Sequence, residues 1–153
     1  MHMIGLIQRV SSAKVEVSGE VIGQIDRGLL VLLGVQRGDD QREADRLLEK
    51  LLTYRVFEDA DQRMNRSLLD VGGALLVVSQ FTLAANTQKG TRPGFSTAAP
   101  PTEGERWYEY FVHEARRRVD RVETGRFGAN MSVHLVNEGP VTFWLEVPPE
   151  RIV

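Results

Sequence analysis

Apolar and polar positions alternate through the first part of the chain. Ile4–Val10 and Ala13–Val17 read as strands, and in the second Ala13, Val15 and Val17 alternate with Lys14, Glu16 and Ser18. That period of two marks a strand with one buried face. Ser18-Gly19-Glu20 reads as a tight hairpin into Val21–Ile25, and Asp26-Arg27-Gly28 turns into a third strand, Leu29–Val35. This stretch is continuously apolar, which predicts a central strand covered on both faces.

The period then changes. Ala44, Leu47, Leu48, Leu51 and Leu52 stand at i, i+3, i+4, i+7 and i+8, an apolar stripe on a helix that Asp39 or Asp40 can cap and that runs to about Tyr54. Arg55–Glu58 predicts a short strand. Gly72-Gly73 turns into a strong one, Ala74–Leu83. The segment 86–101 holds Gly90, Pro93, Gly94, Pro100 and Pro101 and reads as a long ordered loop, a kind that is usually functional. Thr102 and Glu105 have capping-box spacing for a helix to about Val122, with Trp107, Phe111, Ala115, Val119 and Val122 on its buried face. Met131–Val136 and Val141–Val147 close the chain as two strands around Asn137-Glu138-Gly139-Pro140. The expected fold class is α+β: a mostly antiparallel or mixed, barrel-like sheet covered by two main helices, in a single domain over residues 1–153.

Composition narrows the function classes. The chain of 153 residues is 42% hydrophobic and 26% charged, as globular domains are. With no cysteine, a disulfide scaffold, a thiol nucleophile and a cysteine zinc site are excluded. No apolar run approaches membrane-spanning length, and the first residues lack the basic and apolar regions of a signal peptide, so a cytoplasmic protein is expected, with Met3 an alternative start. A net charge of −2 argues against nonspecific coating of nucleic acid and leaves room for a local cluster. Arg116-Arg117-Arg118 with Arg121, and Lys89 with Arg92, are the candidates, although an arginine run is most often a solvated helix face.

Candidate chemistry is sparse. His2 is terminal, His113 points away from the Phe111 stripe, and His134 shares a strand face with Ser132. None has metal-ligand spacing or stands near a pattern of triad partners. No metal and no cofactor are expected. Ser79-Gln80-Phe81-Thr82-Leu83 ends an apolar strand, where polar groups meet ligands; Ser79 and Thr82 are otherwise ordinary strand-end residues, and neither hydroxyl has an evident base. Asn137-Glu138-Gly139-Pro140-Val141-Thr142 is, by its residues alone, a turn.

Taken together, these segments carry more. Residues 4–10 (IGLIQRV), 28–35 (GLLVLLGV), 79–83 (SQFTL), 124–131 (TGRFGANM) and 137–142 (NEGPVT), in this order and spacing, closely resemble the D-aminoacyl-tRNA deacylases of the bacterial and eukaryotic type. The resemblance covers essentially the whole chain. It implies hydrolysis of the ester of D-aminoacyl-tRNA at the RNA 3′ end, as chiral proofreading in translation quality control, and a homodimer in which Gly139-Pro140 of one subunit enters the partner's pocket. In that family the Gly-Pro bond is cis. Arg9 matches the residue that holds the loop inward, and Phe127 and Met131 match pocket-lining positions, although by pattern alone both are core residues. Ser79, Gln80, Phe81 and Thr82 match the catalytic segment. The backbone N–H groups around Gln80 and Phe81 are the expected oxyanion hole. Thr82 is expected to position the substrate, while water or the terminal ribose 2′-hydroxyl attacks. Asn86, Asn130 and Gly94 depart from the family pattern outside its signature motifs, which touches only the shape of flanking loops.

Three other readings compete: a small-molecule esterase with Thr82 as covalent nucleophile, a non-catalytic RNA- or partner-binding module, and the sister deacylase branch with a relaxed filter. Phe81 and Arg9 favour the strict branch. No membrane or DNA partner is expected.

Overall fold

A computed structural model describes residues 2–148. Its frame is a long first strand, β1 (Met3–Val17), continuous where two strands were expected. One edge of β1 pairs with β2 (Glu20–Ile25) beyond Ala13 and with β3 (Gly28–Gly34) before Val10; its other edge pairs with β8 (Ser132–Val147). All three pairings are antiparallel. β6 (Ala74–Ser79) then joins β3, and β7 (Val122–Thr124) joins β6, both parallel. The sheet is therefore mixed. It curls until β2 meets β7: a Cβ placed on Gly23 would lie 2.5 Å from the Thr124 carbonyl oxygen. The result is a nearly closed barrel in an α+β domain, and no described helix is long and apolar enough to cross a membrane.

Alternation along the central strands sorts their side chains. Leu29, Val31 and Leu33 of β3 and Leu75 and Val77 of β6 face the helices, in one cluster with Leu47, Leu51, Leu52 and Phe111. Leu30 of β3 and Ala74, Leu76 and Val78 of β6 face the barrel interior with Val10, Val15 and Ile25. Burial on both faces explains the unbroken apolar run of β3.

Helix α1 (Gln41–Thr53) follows the predicted stripe, with all five stripe residues buried. Asp40 is its cap, closing a reciprocal box with Glu43. Asp39 does something else. Its Oδ2 accepts the Gln36 N–H at 2.7 Å and ties the turn that carries Arg37. The side chain is buried, and that burial, against the opposing pull of the Gln36 N–H, pushes its pKa up to about 7, with Glu43 adding to the rise. A carboxyl whose folded pKa is raised contributes stability fully present below pH 4, and this is lost as pH climbs through 7. Asp39→Asn keeps an acceptor for Gln36 and cannot ionise. Its Tm is expected to match wild type near pH 4 and to exceed it increasingly up to pH 8; parallel Tm profiles would refute the assignment.

The remaining elements correct the sequence reading in several places. Strand β4 (Phe57–Glu58) pairs with β5 (Met64–Arg66), and α2 (Leu68–Val71) follows; neither β5 nor α2 was expected. β6 stops at Ser79, and the chain turns into a 3-10 helix over Phe81–Ala84 where the strand was expected to continue to Leu83. α3 (Pro101–Arg118) begins one residue before Thr102; Pro100 is its N-cap, no side chain caps it, and Thr102 is exposed. Proline at the first helical position has no N–H to lose and the right φ, so the Pro-Pro pair overrides the Thr-x-x-Glu signal. α3 ends at Arg118, so Val119 is its C-cap and Val122 opens β7. Its buried face is Gly104, Tyr108, Phe111, Val112 and Ala115, with Trp107 half-buried. The last two expected strands are one, β8, whose ladder to β1 is interrupted opposite Arg9 and Ser11.

Candidate active site

A cleft of about 440 Å³ opens where β3 and β6 end, between the segment 95–101 and α3. Ser79, Phe81 and Phe127 line it, with Arg37, Phe95, Pro100 and Tyr108. The strand-to-helix break at Gln80 makes the site. The Gln80 N–H donates to the Leu33 carbonyl at 2.8 Å, finishing the β3–β6 ladder, and the chain then folds over Gly34. A Cβ there would sit 3.1 Å from Leu83 Cβ and 3.3 Å from the Gln80 oxygen, so the turn needs a small residue beneath it.

The N–H of Gln80 is thus already used. Those of Phe81 and Thr82 open the 3-10 turn, where first-turn donors have no acceptor within the helix. Of the donors expected around Gln80 and Phe81, the Gln80 N–H is engaged in the ladder and the Phe81 N–H is not. The Thr82 hydroxyl accepts from the Gln80 side-chain amide, and no histidine or carboxylate bonds it among the described residues. Phe81 is 60% exposed at the mouth, 5.1 Å from the Phe95 ring. An aromatic ring left this open is a candidate contact surface.

The long loop is ordered, as its composition suggests. Asn86 and Gly94 bond each other twice, the Thr97 hydroxyl donates to the Ala84 carbonyl, and the Arg37 N–H donates to the Thr97 carbonyl. Tyr108 forms the back wall. Its hydroxyl donates to the Val77 carbonyl at 2.9 Å, which also accepts the Gly125 N–H, and burial pushes its pKa up to about 12. Phe127 packs against it at 5.9 Å between centroids. Arg37, Phe95 and Tyr108 were not singled out from the sequence, and Pro100 was named only as part of the long loop; the Phe95 to Pro101 stretch carried the signal, an apolar cluster inside a polar loop.

The other expected site residues lie elsewhere. Arg9 is buried and bridges two carbonyls, donating through Nη1 to Val56 at 2.8 Å and through Nε to Glu138 at 3.2 Å. Next to Glu138, the Gly139-Pro140 bond is cis and both residues are exposed. The Asn137 side chain closes the loop by accepting the Val141 N–H and donating to the Thr142 hydroxyl. Ser79 is level with Gly5 of β1, four residues from Arg9 and three strands from β8. Neither Gly139 nor Pro140 lines this chain's own cleft. Met131 is not in the cleft either: its Sδ accepts the Arg126 N–H at 3.3 Å and its side chain packs against the barrel interior.

His113 and His134 are exposed and lie 3.6 Å from Glu114 and 3.4 Å from Glu16. Among the described residues no three His, Asp or Glu side chains gather as a ligand set.

The sequence model of the D-Tyr-tRNA(Tyr) deacylase family matches residues 6–146. The chain belongs to this family. Its members are ester hydrolases of aminoacyl-tRNA, and relatives named D-aminoacyl-tRNA deacylase are similar along nearly their whole length. The one from Stutzerimonas stutzeri (strain A1501) is 64% identical over 94% of this chain and 99% of its own. That from Pseudomonas aeruginosa (strain LESB58) is 62% identical with the same coverage. Among solved structures, a c-Myc DNA unwinding element binding protein superposes with a TM-score of 0.90 at 41% identity, over 97% of this chain and 100% of that one. A probable eukaryotic D-amino acid tRNA deacylase superposes at 0.84 over 96% of this chain and 100% of that one; at 18% identity it speaks for the fold alone.

Proposed function

We propose that this deacylase hydrolyses D-aminoacyl-tRNA as a homodimer, reading handedness with backbone atoms of Gly139 and Pro140 from the partner copy. The observation that carries this is the split site. The cleft holds Ser79, Phe81 and Phe127, while the exposed Gly139-Pro140 loop, braced by Arg9, is not part of its lining in the same chain. A second copy completes the pocket.

The chemistry asks little of side chains. An enzyme that accepts many D-amino acids cannot grip their differing side chains. It can hold the amino and carbonyl groups and set rigid main chain where an L side chain would go, so discrimination is by clash. Glycine, with no Cβ, passes the same filter, so glycyl-tRNA is a substrate as well. The ester is already activated, and the N–H groups of Phe81 and Thr82, which open the 3-10 turn, serve the tetrahedral oxyanion. Thr82 positions the substrate, and water or the ribose 2′-hydroxyl attacks. The hydroxyl's engagement with Gln80, with no base beside it, weighs against the alternative of a covalent Thr82 esterase. The net charge of −2 weighs against duplex DNA as a partner.

The test compares initial rates on D-tyrosyl-, L-tyrosyl- and glycyl-tRNA, with and without chelator. D-tyrosyl- and glycyl-tRNA are expected to be cleaved and L-tyrosyl-tRNA to stay at background, all unaffected by chelator. L-tyrosyl-tRNA cleaved as fast as D-tyrosyl-tRNA would end the clash account.

A further inference from the structure

The arginine run at the end of α3 is sorted by its surroundings. Arg117 pairs with Glu114 at 3.0 Å, Arg118 pairs with Glu49 at 2.7 Å, and Arg121 donates to the Gln24 carbonyl at 2.8 Å. Arg116 has no such acceptor among the described residues. It lines a second depression of about 500 Å³ between α3 and the segment 124–127. Arg126 lines the opposite wall, and its guanidinium likewise has no acceptor among the described residues. Both of these arginines, unpaired among the described residues, line the same groove.

That groove adjoins the cleft. Tyr108 and Phe127 line both. Unpaired guanidiniums bind phosphate oxygens through charge-assisted, often bidentate hydrogen bonds. Glu105 and Glu109 also stand on the α3 wall. Carboxylates only accept, so they repel phosphate and fit base amines such as cytosine N4. Separate places for phosphate and for base edge suit a single strand with splayed bases, because a duplex presents its backbone outward.

We propose that this groove holds the unpaired RNA strand that leads to the terminal adenosine, with Arg116 and Arg126 on its phosphates. The inference rests on the reading that the cleft takes the aminoacyl end of a tRNA. Its test measures kcat/KM for D-tyrosyl-tRNA and for D-tyrosyl-adenosine, a fragment too short to reach the groove, on Arg116→Glu and Arg126→Glu over a range of salt. Each reversal is expected to lower kcat/KM on the tRNA about tenfold and to flatten its log–log salt slope by about 0.7 for each phosphate no longer neutralised. D-tyrosyl-adenosine is expected to be cleaved at the wild-type rate, which also shows that the variants fold. Unchanged tRNA kinetics and salt slope in both variants would overturn the groove. So would an equal drop on the two substrates, which marks damage to the cleft. A wild-type protein that cleaves neither substrate would instead remove the deacylase reading itself.

Discussion

Gly28→Ala is expected to leave almost no folded protein. A Cβ on Gly28 would lie 1.8 Å from the Ala74 carbonyl oxygen and 2.8 Å from its nitrogen, far inside contact distance and against backbone on both counts. Gly28 and Ala74 face each other at the start of the parallel β3–β6 pair, whose far end sets Ser79. Relief needs the two central strands to part, and both are buried on their two faces. The cost exceeds about 4 kcal/mol, a large part of the total stability of an ordinary domain. Gly5→Ala is the control, since its Cβ would meet only Leu47 methyl groups at 3.4 Å. It is expected to cost at most about 1.5 kcal/mol. Urea midpoints and soluble yield decide; a Gly28→Ala midpoint near that of Gly5→Ala would show that β3 and β6 can separate cheaply.

The largest loss of activity without loss of fold is expected from Phe81→Pro. Proline removes the N–H assigned to the oxyanion yet fits the first position of a helical turn. Gln80 already has non-helical angles (φ −144°, ψ 80°), so the residue before the new proline has no helical conformation to give up. Phe81→Ala separates the loss of the ring from the loss of the donor. Relative to Phe81→Ala, Phe81→Pro is expected to reduce kcat on D-tyrosyl-tRNA by about 100- to 1000-fold, the usual effect of deleting one such donor. Thr82→Ala keeps the backbone donor and is expected to stay within about threefold of wild type, because no base bonds its hydroxyl among the described residues. Single-turnover rates with matched Tm values make the comparison. Equal rates for the proline and alanine variants would move the oxyanion away from this turn, and an acid-stable aminoacyl-Thr82 adduct would restore the hydroxyl as nucleophile.

Pattern in the chain foretold the parts of the fold where local preference and burial agree. The α1 stripe and the double-faced β3 are such parts. It misled where a local signal met a stronger one. Leu83 extends an apolar run past Ser79, but the ladder to β3 is completed by the Gln80 N–H, and the chain must bend over Gly34. Thr102 and Glu105 fit a capping box, and two prolines outrank them. Along α3 and just beyond it the expected Phe111, Ala115, Val119 and Val122 are buried and Trp107 is half-buried; the pattern missed Tyr108, whose polar end has a carbonyl to donate to. The cleft was legible only in part. Ser79, Phe81 and Phe127 came from the family motifs, whereas Phe95, Pro100 and Tyr108 meet them through tertiary packing that no spacing encodes. Arg9 could be matched to a role by resemblance, but its two carbonyl partners lie 47 and 129 residues away.

The pairing of Met3 with Val147 sets an order of events during synthesis. Strand β1 finds β2 and β3 almost at once, but its other edge has to wait for β8. Until then a row of amide and carbonyl groups stays open to solvent, and to the same row on a neighbouring nascent chain. Contacts between such distant parts of a sequence form slowly. The barrel is therefore completed only once β8 has been made, and a message cut short before it leaves one edge of β1 unpaired.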